Sequence, residues 1–159
     1  MSLIRTFIVT VANPGAGNRY YIDGVLQETV NLAEGYTYKF DVSDNSVSGH
    51  PFRFSTTSNG THNGGSEYTT GVTTSGNAGD NGAYVQIAVA ASAPQLYYYC
   101  TNHSGMGGSA NTEPSDTWGL LEWGQNSYGT QDTANVFPTS LSITSEIGSV
   151  ISSADRGWG

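Results

Sequence analysis

Apolar and polar residues alternate with a period of two along most of the first hundred positions, in short runs closed by Gly, Pro, Asn and Asp. Such alternation sends successive side chains to opposite faces and predicts half-buried strands rather than helices. TFIVTVA (residues 6–12) predicts a strand that ends at the turn NPGAGN. RYYIDGV (19–25) contains Asp-Gly, a hairpin signal, and LQETVNL (26–32) predicts the returning strand before a turn at AEG. In YTYKFDV (36–42), Tyr36, Tyr38, Phe40 and Val42 share one face, with Lys39 and Asp41 opposite. In HPFRFST (50–56), His50, Phe52 and Phe54 share a face and Arg53 opposes them. The Gly- and Asn-rich segment 58–82 is long for a structureless loop and predicts a short strand around EYTTGV. AYVQIAV (83–89) and QLYYYC (95–100) complete the set. Seven or so short strands without an amphipathic helix predict an all-β fold, an antiparallel Greek-key sandwich.

The pattern changes after Gly108. SANTEPSD is polar and reads as a linker; TWGLLEWGQNSYG then repeats Trp-Gly, and the terminal DRGWG echoes it. All three tryptophans lie beyond residue 108. The expected organisation is a sandwich over 1–108, then a linker and Trp/Gly-rich interaction arm over 109–159 that docks onto another protein.

Composition supports strands and turns: 21 of the 159 residues are glycine and ten are tyrosine. Thirteen acidic against five basic residues give a net charge of −8, a balance that repels phosphate backbones and argues against nucleic acid as a partner. No stretch approaches the ~18 apolar residues of a membrane helix. The N-terminal run alternates like a strand, so neither a leader peptide nor a membrane association is expected. A single cysteine excludes an intrachain disulfide.

That cysteine opens the most informative stretch. Cys100, His103 and Met106 form C-x2-H-x2-M directly after a predicted strand. Taken singly, a cysteine at a strand end is a small buried hydrophobe, a histidine a hydrogen-bonded surface residue, and a methionine a space filler. Together they are three of the four side chains of a blue-copper-type site, which needs two imidazoles, one thiolate and a weak axial thioether. His50, on the same face as Phe52 and Phe54, is the candidate for the second imidazole. Three ligands on one tight loop reduce the entropy lost in assembling the site, and the glycines after Met106 allow the loop to turn.

CTNHSGM resembles the ligand loop of the cupredoxins, with the spacing of their short-loop members, and YKFDVSDNSVSGHPFRFST resembles the strand pair that carries their first histidine. The resemblance implies a cupredoxin-like sandwich with copper, His50, Cys100 and His103 as equatorial ligands and Met106 as the axial one. Two departures stand out: Pro51 occupies the place where the family commonly has an asparagine pinning the cysteine loop, and the interval from His50 to Cys100 is long. The longer string YYIDGV…EGYTYKFDVSD…GHPFRFSTTSNGTHNGG…EYTTGV…GAYVQIAV…YYYCTNHSGMGG, about residues 6–108, resembles a cupredoxin-like module of virion structural proteins of marine phages, cyanophages above all. It implies localisation to a virion, as a capsid decoration, fibre or tail protein. The partners implied are other virion proteins, bound through the C-terminal arm, with the chain present in several copies as a homo-oligomer.

Other candidates carry less. His62 in NGTHNGG is expected to be a loop residue, since four ligands are complete without it. Asp41 and Asp44 lack the further oxygen ligands of a calcium loop and predict a turn with local hydrogen bonds. Tyr98 is expected in the core beside Cys100, with Tyr97 and Tyr99 on the outer face. No nucleophile elbow, phosphate-cradling glycine loop or HExxH helix is present, so no catalytic residue and no enzyme are expected. A soluble blue-copper electron carrier is the alternative reading.

Overall fold

The structure, a computed structural model, describes residues 3–115. Eleven strands follow in chain order: β1 (Leu3–Ala12), β2 (Arg19–Ile22), β3 (Val25–Leu26), β4 (Val30–Ala33), β5 (Thr37–Asp41), β6 (Phe52–Ser55), β7 (Glu67–Tyr68), β8 (Val72–Ser75), β9 (Tyr84–Ala88), β10 (Leu96–Cys100) and β11 (Gly108–Glu113). Two short 3-10 turns, Asn45–Val47 and Gly60–Asn63, interrupt the connections. Among the described residues no helix is long and apolar enough to cross a membrane.

The strands form two sheets, one ordered β3-β2-β1-β5-β9-β8 and the other β4-β11-β10-β6-β7. Their inner faces meet through aromatic rings. Phe40 of β5 stacks on Phe52 of β6 at 5.0 Å and meets Phe54 edge-on at 5.3 Å. Tyr20 of β2 meets Phe52 edge-on at 5.3 Å, and Phe52 stacks on Tyr98 of β10 at 5.3 Å. All six rings of this cluster, with Phe7 against Phe40, are buried. Each such side chain contributes about 1.5–3 kcal/mol by leaving water.

The faces predicted for β5 hold. Tyr38, Phe40 and Val42 point into the core with Tyr36 partly buried against it, while Lys39 and Asp41 stay half-exposed. The Asp23-Gly24 hairpin is present, both residues having positive φ (50° and 83°) as a two-residue turn between right-twisted strands requires.

Several expectations change. The sheets are mixed rather than antiparallel: β1 runs parallel to β5, and β4 parallel to β11. In both pairs the chain visits other strands in between, and alternation fixes which face a residue takes but not the direction of its neighbour. The strand expected over 26–32 is split in two, because Gln27 takes a left-handed backbone (φ 45°) between β3 and β4. EYTTGV also divides: β7 joins one sheet and β8 the other. The boundary at residue 108 is displaced, since the first part of the presumed linker is β11, paired on both sides. Its polar residues suit a strand whose outer face meets water. The rest of the expected arm, residues 116–159, lies outside the described residues.

Candidate metal centre

The register between β6 and β10 brings the candidate ligands together. Cys100 at the end of β10 pairs with Phe52 at the start of β6, so the residues leading into β6 and those leaving β10 share one end of the sheet. Before β6, Asp44 accepts a hydrogen bond from the Ser46 amide and starts the 3-10 turn. The His50 amide then donates to the Val47 carbonyl at 2.9 Å, and left-handed Gly49 (φ 77°) reverses the chain. His50 is thereby turned inward, 8% exposed.

After β10 the chain folds back over this segment. The Thr101 amide donates to the Pro51 carbonyl at 3.2 Å, and the Asn102 side chain to the Gly49 carbonyl at 2.9 Å. His103 reaches the exposed rim with its ring centroid 4.6 Å from that of His50. Nδ1 of His103 lies 3.0 Å from Nδ1 of His50, and the Cys100 Sγ lies 3.7 Å from the first and 3.9 Å from the second. Donors held by one ion at about 2.0 Å (N) and 2.3 Å (S) stand about 3.3–3.7 Å apart. The two sulfur–nitrogen sides are close to this, while the two Nδ1 atoms, at hydrogen-bond distance, would move roughly a few tenths of an ångström apart to share a cation. His50, Cys100 and His103 are the metal-capable group of the described residues. Met106 is buried in the same core cluster as Cys100, and its carbonyl accepts from the Tyr20 amide at 3.0 Å.

The surroundings suit a neutral His50 and a shielded sulfur. Burial, and after it the neighbouring His103, hold the His50 imidazole below the usual histidine range. The Cys100 thiol is buried. Tyr20 donates its hydroxyl to the His50 carbonyl at 2.7 Å. Burial, and after it the adjacent Cys100, push the Tyr20 phenol far above its ordinary value, so it stays a donor. The Asn18 side-chain amide lies against His50 Nε2 at 3.2 Å. The atom facing the ring is Asn18 Nδ2, which donates. Coordination through Nδ1 needs the proton on Nε2, and Asn18 accepts it only with its amide turned over so that Oδ1 takes the place of Nδ2.

Residues outside the ligand pattern also build the site. His62 is not in the metal-capable group, in keeping with its expected place in a loop, but its Nε2 donates to the Cys100 carbonyl at 2.8 Å. The turn that carries it covers Tyr99, where a Cβ on Gly60 would come within 2.5 Å of the ring. Tyr99, expected on an outer face, is for that reason buried. Asn18, Gln27 and Asn59 carry no sequence signal beyond their place in turn-rich segments. Asp41 and Asp44 form local hydrogen bonds with Ser43 and Ser46, as a turn predicts.

Comparison of the chain with family models, curated proteins and solved structures finds no match.

Proposed function

We propose that this domain is a cupredoxin-type Greek-key sandwich that holds one copper ion, and that the chain serves as a structural component of a phage virion. The observation that carries the metal reading is the convergence of His50 Nδ1, His103 Nδ1 and Cys100 Sγ within 4.8 Å of one another. Two imidazoles, a thiolate and a thioether suit copper better than zinc, whose structural sites take four nitrogen, sulfur or carboxylate donors of full strength. Copper in such a set supplies one-electron redox chemistry and a strong cross-link between distant segments. His50 and Cys100 would hold the ion from the buried side, His103 would close the site at the rim, and Met106, buried in the same cluster, would offer a thioether. The core rings around Cys100 exclude water from the sulfur.

The virion role rests on the sequence resemblance over about residues 6–108 and on the Trp-Gly repeats beyond it. In that setting the ion ties the segment before β6 to the loop after β10 and stabilises a displayed module, which attaches through residues 116–159. A soluble electron carrier is the second reading, favoured by the exposure of His103, which gives the centre one solvent-facing ligand.

Copper(II) added to the purified protein should produce an intense visible thiolate-to-copper band that Cys100→Ser abolishes. A colourless protein without bound copper refutes the metal reading. Deleting residues 116–159 should abolish incorporation into particles, and a truncated chain that still assembles refutes the attachment.

A further inference from the structure

Among the described residues four non-glycine positions have a left-handed backbone: Asp23, Gln27, Asn59 and Ser92. Asp23 lies in the β2–β3 hairpin and Ser92 in the turn before β10. Gln27 and Asn59 are far apart in the chain, yet both direct their side chains to one residue, Gly105. Asn59 Oδ1 accepts from the Gly105 amide at 2.8 Å, and Gln27 Nε2 donates to the Gly105 carbonyl at 3.1 Å. Each makes a second bond to the same loop: Asn59 Nδ2 donates to Ser104 Oγ at 2.8 Å, and Gln27 Nε2 to the Gly107 carbonyl. Gly105 (φ 76°) is the bend between His103 and Met106.

A left-handed backbone is unfavourable for a side chain as long as that of glutamine, and such strain persists only where surrounding contacts impose it. Here those contacts are on the ligand loop, and they hold the two peptide groups on either side of the Gly105 Cα. We propose that Gln27 and Asn59 are positioning residues that clamp Gly105 and hold His103 and Met106 at ligand spacing before any ion arrives. The proposal rests on the metal reading of the site and adds to it a preformed loop with slow loss of the ion.

Glycine tolerates both backbone angles, so Gln27→Gly and Asn59→Gly remove the side chains while relieving the strain. Metal-free thermal midpoints should therefore stay within a few degrees of the parent, whereas a merely structural role would lower them. Exchange of the Gly105 amide hydrogen, followed by NMR on the full metal-free chain, should accelerate about fivefold in Asn59→Gly, the scale of one lost hydrogen bond, and measurably in Gln27→Gly, where the loop loses its carbonyl anchor. Transfer of bound copper(II) to EDTA should accelerate by a similar factor, with a broadened visible band. Asn59→Asp keeps an acceptor for the Gly105 amide and should restore slow exchange and slow release. Gln27→Glu replaces the donor with a carboxylate facing two carbonyls and should behave like the glycine variant or worse. Should either glycine variant fail to fold, the contrast between Asn59→Asp and Gln27→Glu decides the matter. A wild-type protein that takes up no copper ends the metal reading, while amide exchange still judges the clamp. Gly105 exchange and copper release unchanged in Gln27→Gly and Asn59→Gly would overturn the proposal.

Discussion

Replacing Tyr20 by phenylalanine removes one oxygen and tests how the first histidine is held. The ring keeps its edge contact with Phe52 at 5.3 Å and its tilt against Tyr98 at 6.3 Å, so the aromatic cluster is retained. What disappears is the 2.7 Å hydrogen bond to the His50 carbonyl, which has no other donor among the described residues. A buried acceptor left unpaired costs about 1–3 kcal/mol, a large part of the ~5–15 kcal/mol available to a domain of this size. With a urea slope of about 1–3 kcal/mol per molar, the unfolding midpoint should fall by about 1 M at constant slope. The assay is a urea titration of the metal-free protein followed by circular dichroism, run beside the parent. A midpoint within about 0.2 M of the parent would refute the reasoning, because that bond would then contribute almost nothing.

A chain ending at residue 115 should unfold cooperatively, whereas one ending at residue 108 should lack a cooperative transition, since β11 joins β4 to the rest of its sheet; denaturant melts of both constitute the check. Asn18→Ala should lower copper affinity about 10–100-fold, the usual effect of losing the partner of a ligating histidine, as read by competition with a chelator. Burial raises the phenols of Tyr20, Tyr38, Tyr98 and Tyr99. A raised tyrosine favours the protonated folded state, so this stability is complete below about pH 10 and falls as the pH rises beyond it. Ultraviolet phenolate titration should therefore show part of the tyrosine signal appearing only with alkaline unfolding, and full ionisation of the folded protein would contradict it.

The faces of most strands and three of the four candidate donors were legible from local pattern, because both depend on neighbours a few residues apart. Tyr38, Phe40 and Val42 declare one side of β5 by their spacing alone, and C-x2-H-x2-M places three candidate donors on one loop. Strand direction was not legible: β1 and β5 each alternate correctly whichever way their neighbour runs. The break at Gln27 was hidden for a related reason. Nothing in LQETVNL marks a left-handed residue, and its side-chain partners lie about eighty positions away. Pro51 illustrates the opposite case. Its side chain cannot pin the cysteine loop, but its carbonyl accepts from Thr101 while Asn59 and His62 hold the loop from the segment that lengthens the His50–Cys100 interval. The sequence departure was visible, and its compensation was not.

The placement of β11 between β10 and β4 also sets an order of events during synthesis. Asn31 waits for Asn111, 80 residues later, before the two sides of that sheet are joined. Pairing across so wide a separation is slow relative to local contacts. Cys100, His103 and Met106 leave the ribosome just ahead of β11, so the thiol emerges into a half-built domain with an open edge at β4. A thiol exposed at that stage is open to wrong partners, and a chain that pairs β11 promptly brings His50, Cys100 and His103 into register inside a closed sheet.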